Sequence, residues 1–296
     1  MHRQPEMPVE TADTTLGETE AISDDNSIVL LLSDGTFDSI ELEQYVTGVV
    51  LGELPVDFDE ETFKAQAVVA RTYALKRGRS GKHPNGAVCT DPSCCQAYCS
   101  YEAFVQGGGK KQVYEAIASS VAATEGEVLM YYGDLIEATY FSCSGGRTED
   151  AKAVWGSDIP YLKAQDSPGE ESAAHYTDTI KMTASEFARL LEIELTGTAA
   201  LWIGDIAYTA GGGVETIEIA GNTFKGTVVR QKLSLRSTVF SIMPVGEYIH
   251  IATKGFGHRV GMSQYGAEAM AVQGSKYQEI LQYYYPGTSL NNITQN

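Results

Sequence analysis

Glu53 closes an apolar run, which is a costly place for a carboxylate. The run reads Leu42, Tyr45, Val46, Val49, Val50, Glu53, and spacings of three and four put these residues on one helix face. A carboxylate among valines pays a desolvation penalty. Pro55 disfavours helix at Leu54, so Glu53 belongs to the last turn, where the helix dipole opposes an anion. Both effects raise its pKa. A carboxyl that keeps its proton near neutral pH is what a general acid needs. The plainer reading is a helix-end carboxylate paired with a surface lysine.

A second helix follows, carrying Lys64, Gln66 and Arg71. Lys64 and Arg71 are two turns apart on one face with Val68 between them. Two cations there could line an acceptor site, or could simply be solvated beside Glu60, Glu61 and Lys76.

His83, Cys89 and Cys95 recur at intervals of six in a loop containing Pro84-Asn85-Gly86 and Asp91-Pro92. Imidazole and thiolate are zinc ligands, and three of them would leave a fourth position open, as in catalytic sites. Cys94 and Cys99 are extra thiols nearby, so a disulfide-stapled loop is the competing reading. Tyr140, Ser142 and Ser144 lead into Gly145-Gly146, a turn whose hydroxyls could meet a sugar and whose glycines would let it approach the backbone. Cys143 follows a strand, so little would lower its pKa, and it reads as an inert buried thiol. The segment Gly255–Gly266 brackets His258 with glycines and then opens a helix with Ser263, Gln264 and Tyr265. Free N–H groups at such a helix start point outward.

The elements that must position these groups are legible in outline. Strand pattern covers Ser27–Ser33, and Asp34-Gly35 reads as a turn. Helices are expected over Glu41–Glu53, Glu60–Lys76 and Gln112–Thr124, with irregular chain at 78–96. Two strands, Glu127–Tyr132 and Ile136–Ser142, flank the turn Gly133-Asp134. A short helix at Ser185–Ile193 and a helical Asn222–Arg230 lie among hairpin-like segments. Ala210–Gly213 reads as a loop and not a phosphate cradle, because no helix opens after it. Strands at Ser237–Ile242 and Tyr248–Thr253, then helices at Met262–Val272 and Tyr277–Tyr284, close the chain. The mixture predicts an α+β fold: groove-forming helices packed on mixed strands. Residues 27–169 and 236–296 are expected to form the main lobe and 170–235 a smaller inserted lobe.

The chain has 296 residues and a formal net charge of -18. That charge argues against a nucleic-acid partner and would repel polyanionic wall polymers and anionic lipids. A weakly charged glycan could still bind in a locally basic groove. No run of 18 apolar residues is present, so nothing reads as a membrane span. Residues 1–26 are polar and acidic and read as a disordered leader without signal-peptide character.

Together these segments resemble the stage II sporulation protein D family. The resemblance covers nearly all of Ile28 to Leu290. It is carried by ELEQYVTGVVLGELP and FKAQAVVARTYA within residues 41–74, HPNGAVCTDPSCCQAY, FSCSGGRTE, LRSTVFSI and GFGHRVGMSQYGAEAM. It implies a lytic transglycosylase acting on peptidoglycan glycan strands stripped of stem peptides, during engulfment of the forespore. It places the catalytic acid on Glu53, and substrate contacts on Lys64, Gln66, Arg71 and the glycine turns. It implies zinc on His83, Cys89 and Cys95, with the ligand directly preceding Gln96–Tyr98. It also implies a cell-wall amidase and membrane engulfment proteins as partners. The implied location is extracytoplasmic, anchored at the sporulation septum through a segment absent from this chain. The family commonly has glycine where this chain has Arg259, and it includes amidase enhancers without demonstrated glycan cleavage.

One acid suffices for such a reaction, since the C6 hydroxyl of muramic acid is the nucleophile, whereas common glycosidases need two carboxylates. Arg71 or Lys64 could then pair the lactyl carboxylate of a peptide-free muramic acid. The competing readings are a non-catalytic glycan-binding amidase enhancer and a zinc hydrolase using Glu53 as base.

Overall fold

The computed structural model describes residues 26–293; the acidic leader, apart from Asn26, lies outside them. The fold is α+β, as expected. Its centre is the antiparallel pair of helices Leu42–Glu53 and Glu60–Arg79, each buried along most of its length. Glu41 caps the first helix by accepting from Glu43 N and Gln44 N at 3.0 and 2.7 Å. Asp59 caps the second by accepting from Glu61 N. The second helix runs one turn beyond the expected Lys76, because Lys76, Arg77 and Arg79 suit a C-terminal turn.

Short sheets surround this pair. Ser27–Leu31 pairs antiparallel with Phe37–Glu41 and parallel with Val88–Cys89. Glu127–Tyr131 lies between Asp134–Leu135 and Ser289–Asn292, both antiparallel. Tyr140–Phe141 pairs parallel with Met262–Ser263, so the Tyr140 turn and the His258 turn lie side by side. Met262 and Ser263 therefore belong to a strand, not to the expected helix, which runs Gln264–Val272 with Ser263 as its cap.

A separate apolar cluster joins Met182, Phe187, Ile217, Ile219, Val229, Phe240, Ile242, Ile249 and Ile251. Phe187 and Val229 come from the helices Ala184–Leu191 and Gly226–Lys232, and the others from two sheets: Thr177–Thr183, Tyr248–Lys254 and Val239–Val245 in one, and Ile203–Tyr208, Val214–Ile219 and Asn222–Lys225 in the other. The second lobe thus spans 177–254, not 170–235: Tyr248–Lys254 is the central strand of a sheet that starts at Thr177. The helix expected at Asn222–Arg230 is corrected to a strand, Asn222–Lys225, followed by a helix, Gly226–Lys232. Ala220-Gly221, both at positive φ, make the tight turn that returns the chain onto Val214–Ile219.

Candidate functional site

The main cavity holds about 640 Å³ and is lined by Glu53, Tyr73, Arg77, Lys82, residues 92–95, residues 139–142, Trp155, residues 256–258 and Gln264. A neighbouring cavity of about 420 Å³ shares Arg77, Thr139 and Trp155 and adds Glu137, Ser157 and Ile159. The two adjoin along these shared residues, and together they are the groove.

Glu53 is the last residue of its helix, half-buried. Its Oε1 accepts from Ala97 N at 2.7 Å and from the Tyr140 hydroxyl at 3.0 Å, and Gln264 Nε2 lies 3.4 Å from Oε2. Burial raises its pKa, and the three hydrogen bonds pull the other way without cancelling the rise. Behind it runs a polar relay. Gln96 Nε2 donates to the Tyr140 hydroxyl at 3.0 Å, and the Tyr45 hydroxyl donates to Gln96 Oε1 at 3.2 Å. The relay fixes the Tyr140 hydroxyl as a donor toward Glu53. Burial and the neighbouring Glu53 hold the Tyr140 phenol well above its usual range.

His258 sits between the rings of Phe141 and Trp155, at 5.6 and 5.2 Å. Burial lowers its pKa to about 4, with Arg230 adding to the fall and the Tyr140 backbone opposing it. The ring is therefore neutral at pH 7. Its Nδ1 accepts from Val260 N at 3.1 Å, which leaves the proton on Nε2.

The remaining expected contacts fall elsewhere. Arg71 is fully buried, its Nε donating to Glu43 Oε1 at 2.7 Å, its Nη2 paired with Glu43 Oε2, and its Nη1 donating to Glu127 O at 2.9 Å. It fastens both central helices to a strand and has no free donor face for a ligand. Lys64 pairs with Glu60 and Glu61 on its own helix. Gln66 is fully buried, and neither amide atom has a hydrogen-bond partner in the protein; nothing in the structure repays that cost. None of the three lines the groove, so their expected substrate contacts are corrected. Gln66 and Arg71 look into the core, and Lys64 lies at its edge beside Glu60 and Glu61.

Ser144 and Ser263 are likewise buried, and both donate to Glu170. Glu170 also accepts from Ser144 N at 2.8 Å, Gly145 N at 2.9 Å and the Ser167 hydroxyl at 2.7 Å. Neither serine lines the cavity; both tie the two turns to Glu170. Tyr265 packs edge-on against Phe58 at 5.0 Å, away from the cavity lining. The glycines of the two turns serve packing. A Cβ on Gly261, at φ +83°, would lie 2.0 Å from Thr139 O. Cys143 is fully buried, and burial pushes its thiol up to about 11, which fits an inert role.

Arg259 also turns away from the groove. Its φ is +69°, a left-handed conformation that costs an L-residue roughly 1–2 kcal/mol. In return its guanidinium donates to Ser144 O at 2.8 Å, Arg147 O at 2.6 Å and Gly211 O at 2.5 Å, with Glu149 3.7 Å away.

His83, Cys89, Cys94 and Cys95 bring their four ligand atoms within 4.8 Å of one another. His83 Nε2 lies 3.4 Å from Sγ of both Cys94 and Cys95. A tetrahedral zinc with ordinary bond lengths would set such pairs about 3.6 Å apart, so the donor set fits that metal. All three expected ligands, His83, Cys89 and Cys95, belong to this cluster, and Cys94 joins them as a fourth candidate. Residues 91–95 form a tight turn, in which Cys94 N and Cys95 N both bond to Asp91 O, and it turns both thiols inward. All five cysteines are unpaired, so the staple reading finds no disulfide. The loop leads directly into Gln96 and Ala97, the residues that hold Tyr140 and Glu53.

Gln96, Ala97, Tyr45, Arg77 and Trp155 were not foreseen as site residues. Only Gln96 carried a signal, in its place directly after the cysteine pair.

A model of a family described as stage II sporulation protein matches residues 34–131. The chain is 40% identical to stage II sporulation protein D of Bacillus subtilis over 260 residues, covering 86% of this chain and 75% of that protein. It is also 40% identical to stage II sporulation protein D of Bacillus amyloliquefaciens, covering 88% of this chain and 76% of that one. A protein named amidase enhancer, from Bacillus subtilis, is 28% identical, covering 83% of this chain and 40% of that protein. With two relatives at this identity over most of both chains, this chain belongs to the stage II sporulation protein D family.

Proposed function

We propose that this protein is a lytic transglycosylase that cleaves the MurNAc–GlcNAc bond of peptide-free peptidoglycan strands, leaving 1,6-anhydro-MurNAc ends. The observation that carries the reading is that Glu53 is the only carboxyl lining the main cavity among the described residues, and burial raises its pKa. The next carboxyl along the groove, Glu137, is paired with Arg77. A two-carboxylate hydrolase needs a second, free carboxylate facing the same bond; a lytic transglycosylase does not.

Protonated Glu53 donates to the glycosidic oxygen as the C1–O bond breaks. The carboxylate so formed then takes the proton of the C6 hydroxyl as that oxygen closes onto C1. The proton count balances, and no water is consumed. Intramolecular attack is worth up to roughly 7–11 kcal/mol of the barrier. Ala97 N and the Tyr140 hydroxyl aim the carboxyl and stabilise its ionised form between the two proton transfers. His258 lines the groove as a neutral ring, and Ser142 adds a hydroxyl to the lining.

Zinc is the metal that one imidazole and three thiolates suit best. With four protein ligands it would supply loop stability and no activated water, which weighs against the zinc-hydrolase reading. The residues that would hold it also form one wall of the groove, since Cys94 and Cys95 line the cavity.

The match to the protein named amidase enhancer favours one second reading, glycan gripping that stimulates an amidase. Under either reading the partners are glycan strands and a cell-wall amidase, at an extracytoplasmic septal location. Mass analysis of amidase-treated strands after incubation separates the readings. The expected products are anhydro ends, abolished in Glu53→Gln with the fold intact. Reducing ends would indicate hydrolysis, and no cleavage would favour the enhancer.

A further inference from the structure

We infer that Arg77 is the residue that recognises the free lactyl carboxylate of a peptide-free strand, with Lys82 as a second, weaker cation; this rests on the glycan reading above. The charged residues lining the main cavity are Glu53, Arg77 and Lys82. Arg77 and Lys82 thus bring positive charge to the cavity wall in a chain of net charge -18. A neutral glycan gives no reason for two cations there. Amidase action, by contrast, leaves each denuded muramic acid with one carboxylate.

Arg77 stands at the junction of the two cavities and lines both. Its guanidinium carbon lies 4.9 Å from the centroid of the Tyr73 ring, which fixes the plane of the group. Nη2 donates to Glu137 Oε2 at 3.1 Å, while Nε is buried with no partner. A guanidinium has five donors in a fork that matches a carboxylate; with Nε buried and Nη2 on Glu137, it is the Nη1 end of the fork that can meet a carboxylate in the cavity. Trp155 lines both cavities beside it, 45% exposed, and offers a flat face to a sugar ring. Lys82 donates to Cys94 O, so it is tethered to the cysteine loop on the opposite wall. Arg71 and Lys64 line neither cavity, whereas Arg77 lines both despite its pair with Glu137, so the role of carboxylate reader falls to Arg77.

The test is calorimetric binding to the Glu53→Gln protein, which holds strands uncut. Two ligands of equal length are compared: amidase-treated strands, and the same strands with every lactyl carboxylate converted to a neutral amide. Tighter binding of the charged strand is expected, by about tenfold or more in dilute buffer, shrinking as salt rises. Adding Arg77→Gln should bring the ratio near one, because affinity for the charged strand falls more than affinity for the neutral one. Lys82→Gln should lower the ratio less, because that side chain is exposed. Equal binding of both strands by the Arg77-containing protein overturns the inference while leaving the glycan reading standing. So does a ratio that survives Arg77→Gln. If neither strand binds, the glycan reading falls, and this inference with it. Should Arg77→Gln fail to fold, the two-strand comparison on the Arg77-containing protein still decides, and Arg77→Lys serves as the second variant. Keeping the charge but losing the fork, it should retain only part of the preference.

Discussion

At the scale of single residues, Glu53 and His258 titrate in opposite senses, and the pH dependence follows. Glu53 has its folded pKa raised by burial, so its acid form is the one the fold favours. Its contribution to stability is complete below the unfolded carboxylate value of roughly 4.3 and is lost as pH rises through the folded pKa. Activity as a general acid falls over the same rise. Glu53→Gln has no proton to lose, and Gln Oε1 can still accept from Ala97 N and Tyr140. The variant should therefore gain stability relative to the parent as pH increases from 4 to 8, while cleaving nothing. His258, lowered to about 4, stays neutral throughout the working range and adds no second ionisation above pH 5. A single alkaline limb in the kcat profile, with matched denaturation curves at pH 4 and 8, checks both statements. An alkaline limb that persists in a residually active Glu53→Gln would remove Glu53 as the acid.

At the scale of elements, the loop Lys82–Ala97 couples the His83, Cys89, Cys94 and Cys95 cluster to the Glu53 carboxyl. Its last two residues hold Tyr140 and Glu53, so loosening the loop should loosen the acid. Protein purified without chelator is expected to hold about one zinc per chain. Chelation should lower Tm and kcat together without altering the alkaline limb, because the metal organises the wall and does not supply the proton. Cys94→Ser should weaken zinc retention much as Cys95→Ser does. Undiminished zinc affinity in Cys94→Ser would restore the three-ligand site. The sequence showed the ligand types at this loop but not the register of the Cys94-Cys95 doublet, which the turn at Asp91 decides. Similar limits apply to the helices. Glu53 was legible because an acid breaks an apolar stripe just before Pro55. Arg71 was misread because spacing fixes which residues share a face but not whether the face looks into the core. Arg77 gave no signal at all, since beside Lys76 and Arg79 it reads as one more cation at a helix end. Hydrogen bonds between turns distant in sequence, such as Ser144 and Ser263 on Glu170, leave no local pattern.

At the scale of the molecule, two lobes with separate apolar cores are joined through Arg259. Its backbone belongs to the His258 turn of the main lobe, and its guanidinium reaches Gly211 O in the second lobe and Ser144 O and Arg147 O in the first. Burial lowers the pKa of this arginine to about 10, with Glu149 opposing the fall, so it stays charged at neutral pH. Glu149 in turn accepts from the Thr209 hydroxyl and from Gly211 N at 3.1 Å, so both members of the pair hold the same second-lobe loop. Arg259→Ala leaves Glu149 buried without its cation and three carbonyls without their donor. A loss of about 3–5 kcal/mol is the usual size for breaking such a pair. Arg259→Gly makes the same deletion but relieves the left-handed strain, and should be roughly 1–2 kcal/mol less destabilised than Arg259→Ala. Because the lobes have their own cores, weakening this joint should also divide a single unfolding transition into two, the 177–254 lobe separating from the rest. Urea titrations followed by tryptophan fluorescence read both lobes, since Trp155 lies in the main lobe and Trp202 in the second. Equal stability of the alanine and glycine variants would remove the strain argument, and one coincident transition at both tryptophans would show that the lobes do not depend on Arg259 to unfold together.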